Sequence, residues 1–232
     1  MKQICIFILS FAIIFLVSPL IAQKYQIGPT VGLNMANVDI DVKNDEQDIG
    51  TSTRAGLVLG GSIYFTITSN IGLQFEPTYM QKGAKVEVKW MENGTSFKLE
   101  QTLKVNYIDI PILFKAYFGQ QNIKPYLFAG ANIALKTGDI KVRNDKVIVD
   151  GQDVTSQVPD DEREIKFKTN LTDFGFNSGA GILFPVGKNN FYFEGQYNIG
   201  LTDINNEKDA DKAEMKNKGV QIKAGIFFPV GG

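Results

Sequence analysis

From about residue 25 onward the chain alternates apolar and polar residues with a period of two, the spacing that puts the two kinds on opposite faces of an extended strand. Ile71, Leu73, Phe75 and Tyr79 alternate with Gly72, Gln74, Glu76 and Thr78. Comparable runs predict strands over about 25–34, 53–67, 71–82, 103–118 and 123–136. Three more carry Phe174 to Phe184, Phe191 to Leu201 and Val220 to Phe228 on their apolar faces. In the fourth strand the apolar phase changes, from odd positions (Leu103, Val105, Tyr107) to even ones (Ile108, Ile110, Ile112, Phe114, Phe118). One extra residue near Tyr107–Ile108, a β-bulge, produces such a change. The fifth strand is apolar on both faces and is not oriented by its sequence.

The connections sort into two lengths. Thr68-Ser69-Asn70, Gly119-Gln120-Gln121-Asn122 and Gly187-Lys188-Asn189 are tight, whereas about 35–52, 83–102, 137–172 and 202–217 are long and charged. Eight strands with alternating short and long connections predict an all-β fold, an eight-stranded antiparallel up-and-down transmembrane β-barrel with short periplasmic turns and long outer loops. Alternation flanks Glu92-Asn93-Gly94-Thr95, and Asn-Gly is a strong hairpin signal, so strands three and four are expected to continue outward as a ribbon. Lys146–Val149 and Glu164–Lys168 suggest a second hairpin.

Alternation is silent on which face points inward, and a soluble lipocalin-like ligand-binding barrel alternates equally well. The polar face here is mostly Gly, Asn, Gln and Thr, poorer in charge than a water-exposed surface. Its few charges are of both signs, Glu76, Asp109 and Glu194 against Lys115 and Lys223, and with Gln196 they are expected to form a structural polar network in a filled lumen. Antiparallel order gathers Tyr25, Phe65, Phe118, Tyr126, Phe184, Phe191 and Phe228 at the periplasmic end, as an aromatic girdle. Tyr79, Tyr107 and Phe174 fall near the other end. Pro29, Pro77 and Pro111 run against the strand assignments, since each removes a ladder donor; a bulge near each is the expected accommodation.

Lys2, the apolar run from Ile4 to Val17 and Ser18-Pro19-Leu20-Ile21-Ala22 have the layout of a signal peptide, residues 1–22, cleaved after Ala22; the barrel domain is then 23–232. The single cysteine, Cys5, lies in that leader, so the mature domain has no thiol chemistry. Without Lys2 there are 24 − 1 = 23 basic residues against 25 acidic ones, a balance that does not suit nucleic acid. The chain has no histidine, which removes Ser-His-Asp catalysis and histidine metal sites. No catalytic, cofactor-binding or metal residue is assigned. The acidic stretch Asp39, Asp41, Asp45, Glu46 and Asp48 lacks the spacing of a calcium loop and reads as solvated loop charge.

Four segments carry a family resemblance: Gly32-Leu33-Asn34, the run from Phe75 to Ala84, Tyr107-Ile108-Asp109-Ile110-Pro111-Ile112-Leu113-Phe114-Lys115, and Gln196 to Ile204. Through them the chain resembles the Bacteroidetes outer-membrane β-barrel family that includes PorT-like proteins. The resemblance implies the barrel fold and the bacterial outer membrane, makes Pro77 and Pro111 family features, and leaves the activity open. A non-enzymatic barrel is therefore expected, in contact with outer-membrane lipid and presenting its loops to an envelope partner as an anchoring or accessory subunit of an envelope or secretion complex. The alternatives are the soluble periplasmic ligand-binding barrel and a histidine-free outer-membrane enzyme.

Overall fold

The alternating segments form one antiparallel sheet. The computed structural model describes residues 25–41, 48–119, 122–167, 170–205 and 214–230; the expected leader lies outside the described residues. The strands are β1 (Tyr25–Asp41), β2 (Asp48–Ser52), β3 (Arg54–Thr66), β4 (Ile71–Phe75), β5 (Thr78–Glu92), β6 (Thr95–Tyr117), β7 (Lys124–Lys136), β8 (Ile140–Val149), β9 (Gln152–Asp153), β10 (Glu164–Phe167), β11 (Thr172–Val186), β12 (Asn189–Gly200) and β13 (Glu214–Val230). Among the described residues one 3-10 turn occurs, at Thr155–Gln157.

β1 pairs with β13 on one side and β3 on the other. β3 continues to β4 and β5, both pair with β6, and β6, β7, β11, β12 and β13 follow in order. The pairings return to their start, so the sheet has no edge at this level. With β4 and β5 counted as one interrupted stave, eight staves make the ring.

At the end away from the short turns the sheet continues past the ring. β5 and β6 run on to a two-residue turn, where Asn93 and Gly94 both hold positive φ, 50° and 82°. β8 and β10 add to β6, and β2 adds to β5, giving the order β10-β8-β6-β5-β2. The described parts of the outer "loops" are therefore largely strand. The second hairpin differs from its expectation: β10 pairs with Ile140–Arg143, while Ile148 and Val149 pair with β6 and β9.

No bulge occurs at Tyr107–Ile108. The β5–β6 and β6–β7 registers run through that point without a shift. Leu103, Val105, Tyr107, Asp109, Leu113, Lys115 and Tyr117 all face inward and are buried. What changes is the environment. Below Ile108 the outward face is apolar and the lumen largely polar; above it the outward face is polar, with Lys104 exposed, and the interior is apolar. Pro29 and Pro77 create no bulge either. Register is kept across both, the β1–β13 ladder omitting Gly28 and Pro29 and the β4/β5 stave omitting Glu76 and Pro77. The gap at Pro77 is bridged: the Gly61 amide donates to its carbonyl at 3.1 Å, and the Glu76 amide donates to the Pro111 carbonyl at 3.2 Å.

Below the inversion, the outward face of every stave is apolar. Leu33 is 60% exposed, Phe114 61% and Leu127 55%, and Ile112, Phe174, Phe193 and Ile222 continue the band around the barrel. A water-soluble surface does not carry an apolar belt of this extent. Tyr25 lies beside Phe65 (ring centroids 6.3 Å apart) and Phe184 stacks on Phe191 (5.8 Å) at the short-turn end, where Phe118 and Phe228 are also outward and exposed. Tyr126 is not part of this girdle. It is 1% exposed and points into the lumen, because even positions of β7 face inward and Lys115 and Glu194 there need its hydroxyl.

Candidate functional site

The lumen is filled in layers. Nearest the short turns, Tyr64, Leu113, Tyr117, Tyr126, Phe128, Leu183, Tyr192 and Phe227 form an apolar, mostly aromatic plug. Tyr192 stacks on Phe227 at 4.7 Å. Its ring also lies against Gly225, where a Cβ would come within 2.4 Å of ring atoms, so the neighbouring strand needs a residue without a side chain. The recess left below this plug, about 120 Å³ between Gln26, Tyr64, Lys124 and Asn190, falls short of the roughly 300 Å³ at which small-molecule pockets begin.

Above the plug are four charges. Lys115 Nζ donates to Glu194 Oε2 at 2.7 Å, and Lys223 Nζ lies 2.9 Å from Glu194 Oε1. Lys223 also donates to Glu76, whose other oxygen accepts from Gln74 and, at 3.2 Å, from the Ser62 hydroxyl. Tyr126 OH donates to Glu194 Oε2 at 2.8 Å. Lys115 is further surrounded by the rings of Tyr126, Tyr192 and Phe128, at 4.5, 5.0 and 5.4 Å. Glu194 and Lys223 are direct cross-strand partners, and each of the four groups is at most 1% exposed. Two positive and two negative charges thus compensate one another in a space that water does not reach, which is the condition for burying them.

An amide chain leads outward. Lys223 donates to Gln196 at 2.9 Å, Gln196 to Asn177 at 2.8 Å, Asn177 to Asn132 at 3.0 Å and Asn132 to Asp109 at 2.5 Å. Asn198 ties Asn177 to Asn132 from the side. Beyond it Lys82 lies 3.5 Å from Asp173 and 3.9 Å from Asp109, and Asn217 donates to Asp173 at 2.9 Å. The lumen closes with a second apolar layer of Val38, Ala84, Val86, Leu103, Val105, Tyr107, Ala134, Ile140 and Ile204.

Of the six lumen positions singled out in the sequence, Glu76, Lys115, Glu194 and Lys223 meet in one cluster, Gln196 begins the amide chain, and Asp109 belongs to the outer cluster with Lys82 and Asp173. Lys82 and Asp173 are members that the sequence reading did not assign. Lys82 shares the inward phase of Gln74, Glu76 and Thr78, which was its available signal.

The outward sheet has two unlike faces. Val88, Trp90, Phe97 and Leu99 continue the inward face, with Trp90 stacked on Phe97 at 5.0 Å. On the other face Lys89 meets Glu87 at 2.6 Å, and Lys98 meets Glu87 at 2.7 Å and Glu100 at 3.1 Å. Hydrogen bonds from Lys89 and Lys98 hold the Glu87 carboxyl down at about 2.

A family model for an outer membrane protein β-barrel domain matches residues 21–206. No curated protein matches the sequence. Solved structures share the fold, among them two outer membrane proteins. The outer membrane protein OprG from Pseudomonas aeruginosa aligns with 12% identity and a TM-score of 0.51, over 90% of this chain and 97% of its own. The outer membrane protease OmpT from Escherichia coli aligns with 10% identity and a TM-score of 0.52, over 89% and 97%.

Proposed function

Because the chain belongs to the outer membrane protein β-barrel domain family, we propose that it is a non-enzymatic, non-conducting barrel that anchors its outward sheet in the outer membrane, as an anchoring or accessory subunit of an envelope or secretion complex. The sealed lumen carries this reading. Two apolar layers enclose a charge-compensated middle, so the described residues fill the lumen where ions or a ligand would have to pass. A pore needs a wet lumen, and a lipocalin-like binder needs an enclosed cavity and a water-exposed polar surface. The outward apolar band is the reverse of the latter.

The absence of histidine from the sequence supports the non-enzymatic part. OmpT's protease activity belongs to that protein, and at 10% identity the likeness extends to the fold alone. Export by a leader cleaved after Ala22, and the narrower kinship with PorT-like proteins of Bacteroidetes, remain part of the proposal and rest on the sequence segments above. The subunit role is an inference from the large outward sheet; the kinship does not itself carry a secretion role over.

Reconstituted in a planar bilayer, the purified barrel is expected to give no stepwise conductance; a steady open-channel current overturns the sealed-lumen reading. Crosslinking in intact outer membranes is expected to capture an envelope protein through the outward sheet, and recovery of the barrel alone counts against the subunit role.

A further inference from the structure

The outward face of β5, β6 and β8 is cationic just above the apolar band and neutral further out. Tyr79 and Ile108 are the last apolar outward pair, followed by Gln81 and Asn106. Next comes Lys104, whose direct cross-strand partner is Lys141. One outward position further on are Lys85 and Arg143, flanking Thr102 between them. Like charges directly opposite in a ladder repel. Among the described residues Lys85, Lys104 and Arg143 form no ion pair.

Acidic groups are not lacking nearby. Glu164 pairs with Lys141 at 3.1 Å, Asp145 accepts from Thr102, and Asp139 lies in the turn below, yet Lys104 keeps no carboxylate of its own. In the next outward positions of the same face the lysines are matched, Lys89 and Lys98 by Glu87 and Glu100. On the far side of the barrel Lys218 is matched by Asp39. Among the described residues, then, Lys85, Lys104 and Arg143 stand without an ion pair at headgroup depth on one side of the barrel, and Lys141 between them shares the single carboxylate of Glu164. A basic cluster beside a membrane's apolar layer attracts anionic headgroups.

We infer that Lys104 and Lys141, flanked by Lys85 and Arg143, form a docking surface for the phosphate groups of a phosphorylated glycolipid in the outer leaflet. The acyl chains of such a lipid continue onto the apolar band at Ile108, Ile110 and Tyr79, so one molecule meets both surfaces. The inference rests on the proposed membrane reading, with the outward sheet on the outer side.

The test uses the full barrel in nanodiscs of phosphatidylcholine, with and without diphosphoryl lipid A, and native mass spectrometry of the retained lipid. The native barrel is expected to retain lipid A in preference to phosphatidylcholine. The double variant Lys104→Gln/Lys141→Gln should lose about ten- to thirtyfold of that preference, and the control Lys89→Gln/Lys98→Gln should keep it. In lipid-free zwitterionic detergent the first variant should unfold at the same temperature as the native protein or higher, since the Lys104–Lys141 repulsion it loses offsets the exposed Lys141–Glu164 pair lost with it.

Equal retention by the native barrel and the first double variant overturns the inference, as does equal loss in both variants. Inorganic phosphate or heparin binding at the same lysines, undiminished in discs without lipid A, overturns it in favour of a soluble anion. If the native barrel enters no disc, the membrane reading itself falls and takes this surface with it. Insertion without lipid preference overturns only the docking surface.

Discussion

Glu194→Gln is expected to be among the most damaging single substitutions in the barrel, costing about 3–5 kcal/mol, the range for removing one partner of a buried ion pair. Glu194 is the only one of the two central carboxylates that touches both lysines. Without its charge Lys223 keeps Glu76, but Lys115 keeps no carboxylate in contact, only neutral acceptors such as the Tyr126 hydroxyl and three aromatic rings. Such ring contacts are worth about 2 kcal/mol or somewhat more when desolvated, less than the several kcal/mol it costs to bury an ammonium without a counter-charge. Lys115→Met should also lower the unfolding temperature, by less, because Glu194 then retains Lys223. The measurement is the temperature at which the folded band of an unboiled gel sample disappears. An unchanged temperature for Glu194→Gln, or a larger drop for Lys115→Met, contradicts the assigned network.

The second large effect is expected at Tyr192. Tyr192→Ala removes the ring that stacks on Phe227 and covers Gly225, and truncating a buried aromatic costs about 3–5 kcal/mol. Tyr192→Phe keeps the ring and loses only the hydroxyl's bonds to Thr30 (2.5 Å) and Ser62 (3.1 Å). Thr30 and Ser62 still bond each other at 2.6 Å, so the loss should be near the lower end of the usual range, about 0.5–1 kcal/mol. Denaturant titration in detergent separates the two. Comparable losses for Phe and Ala would mean that the hydroxyl, and not the aromatic plug, seals this end.

The barrel was legible in the sequence because its staves obey one rule over most of their length. Where one face meets lipid and the other a polar lumen, as around Leu73-Gln74-Phe75-Glu76, alternation reports the structure directly. It fails where both faces are apolar. In β7 the lipid side carries Leu127 and Ala129 and the plug side carries Tyr126 and Phe128, so hydropathy alone does not orient the strand, and Tyr126 was assigned to the wrong face. At Tyr107–Ile108 the shift in apolar phase was visible, but a bulge and a reversal of surroundings write the same pattern. Pairing register separates them, and register depends on partners distant in sequence. Lys82 and Asp173 were readable as inward by phase, but that each needs the other follows from the closed ring, which brings β5 and β11 to face across the lumen.

That reversal along β6 fixes a thickness. From Ile108 to Phe118 the outward residues are apolar over ten residue steps, about 34 Å of strand at roughly 3.4 Å per residue. With the roughly 40° tilt of such staves this is about 26 Å along the bilayer normal, close to the roughly 25 Å apolar band of outer-membrane barrels. Displacement by one outward position would carry Asn106 into hydrocarbon on one side or strip Ile108 of lipid on the other. The barrel is therefore gauged to a thin bilayer, and a thicker membrane would have to compress around it.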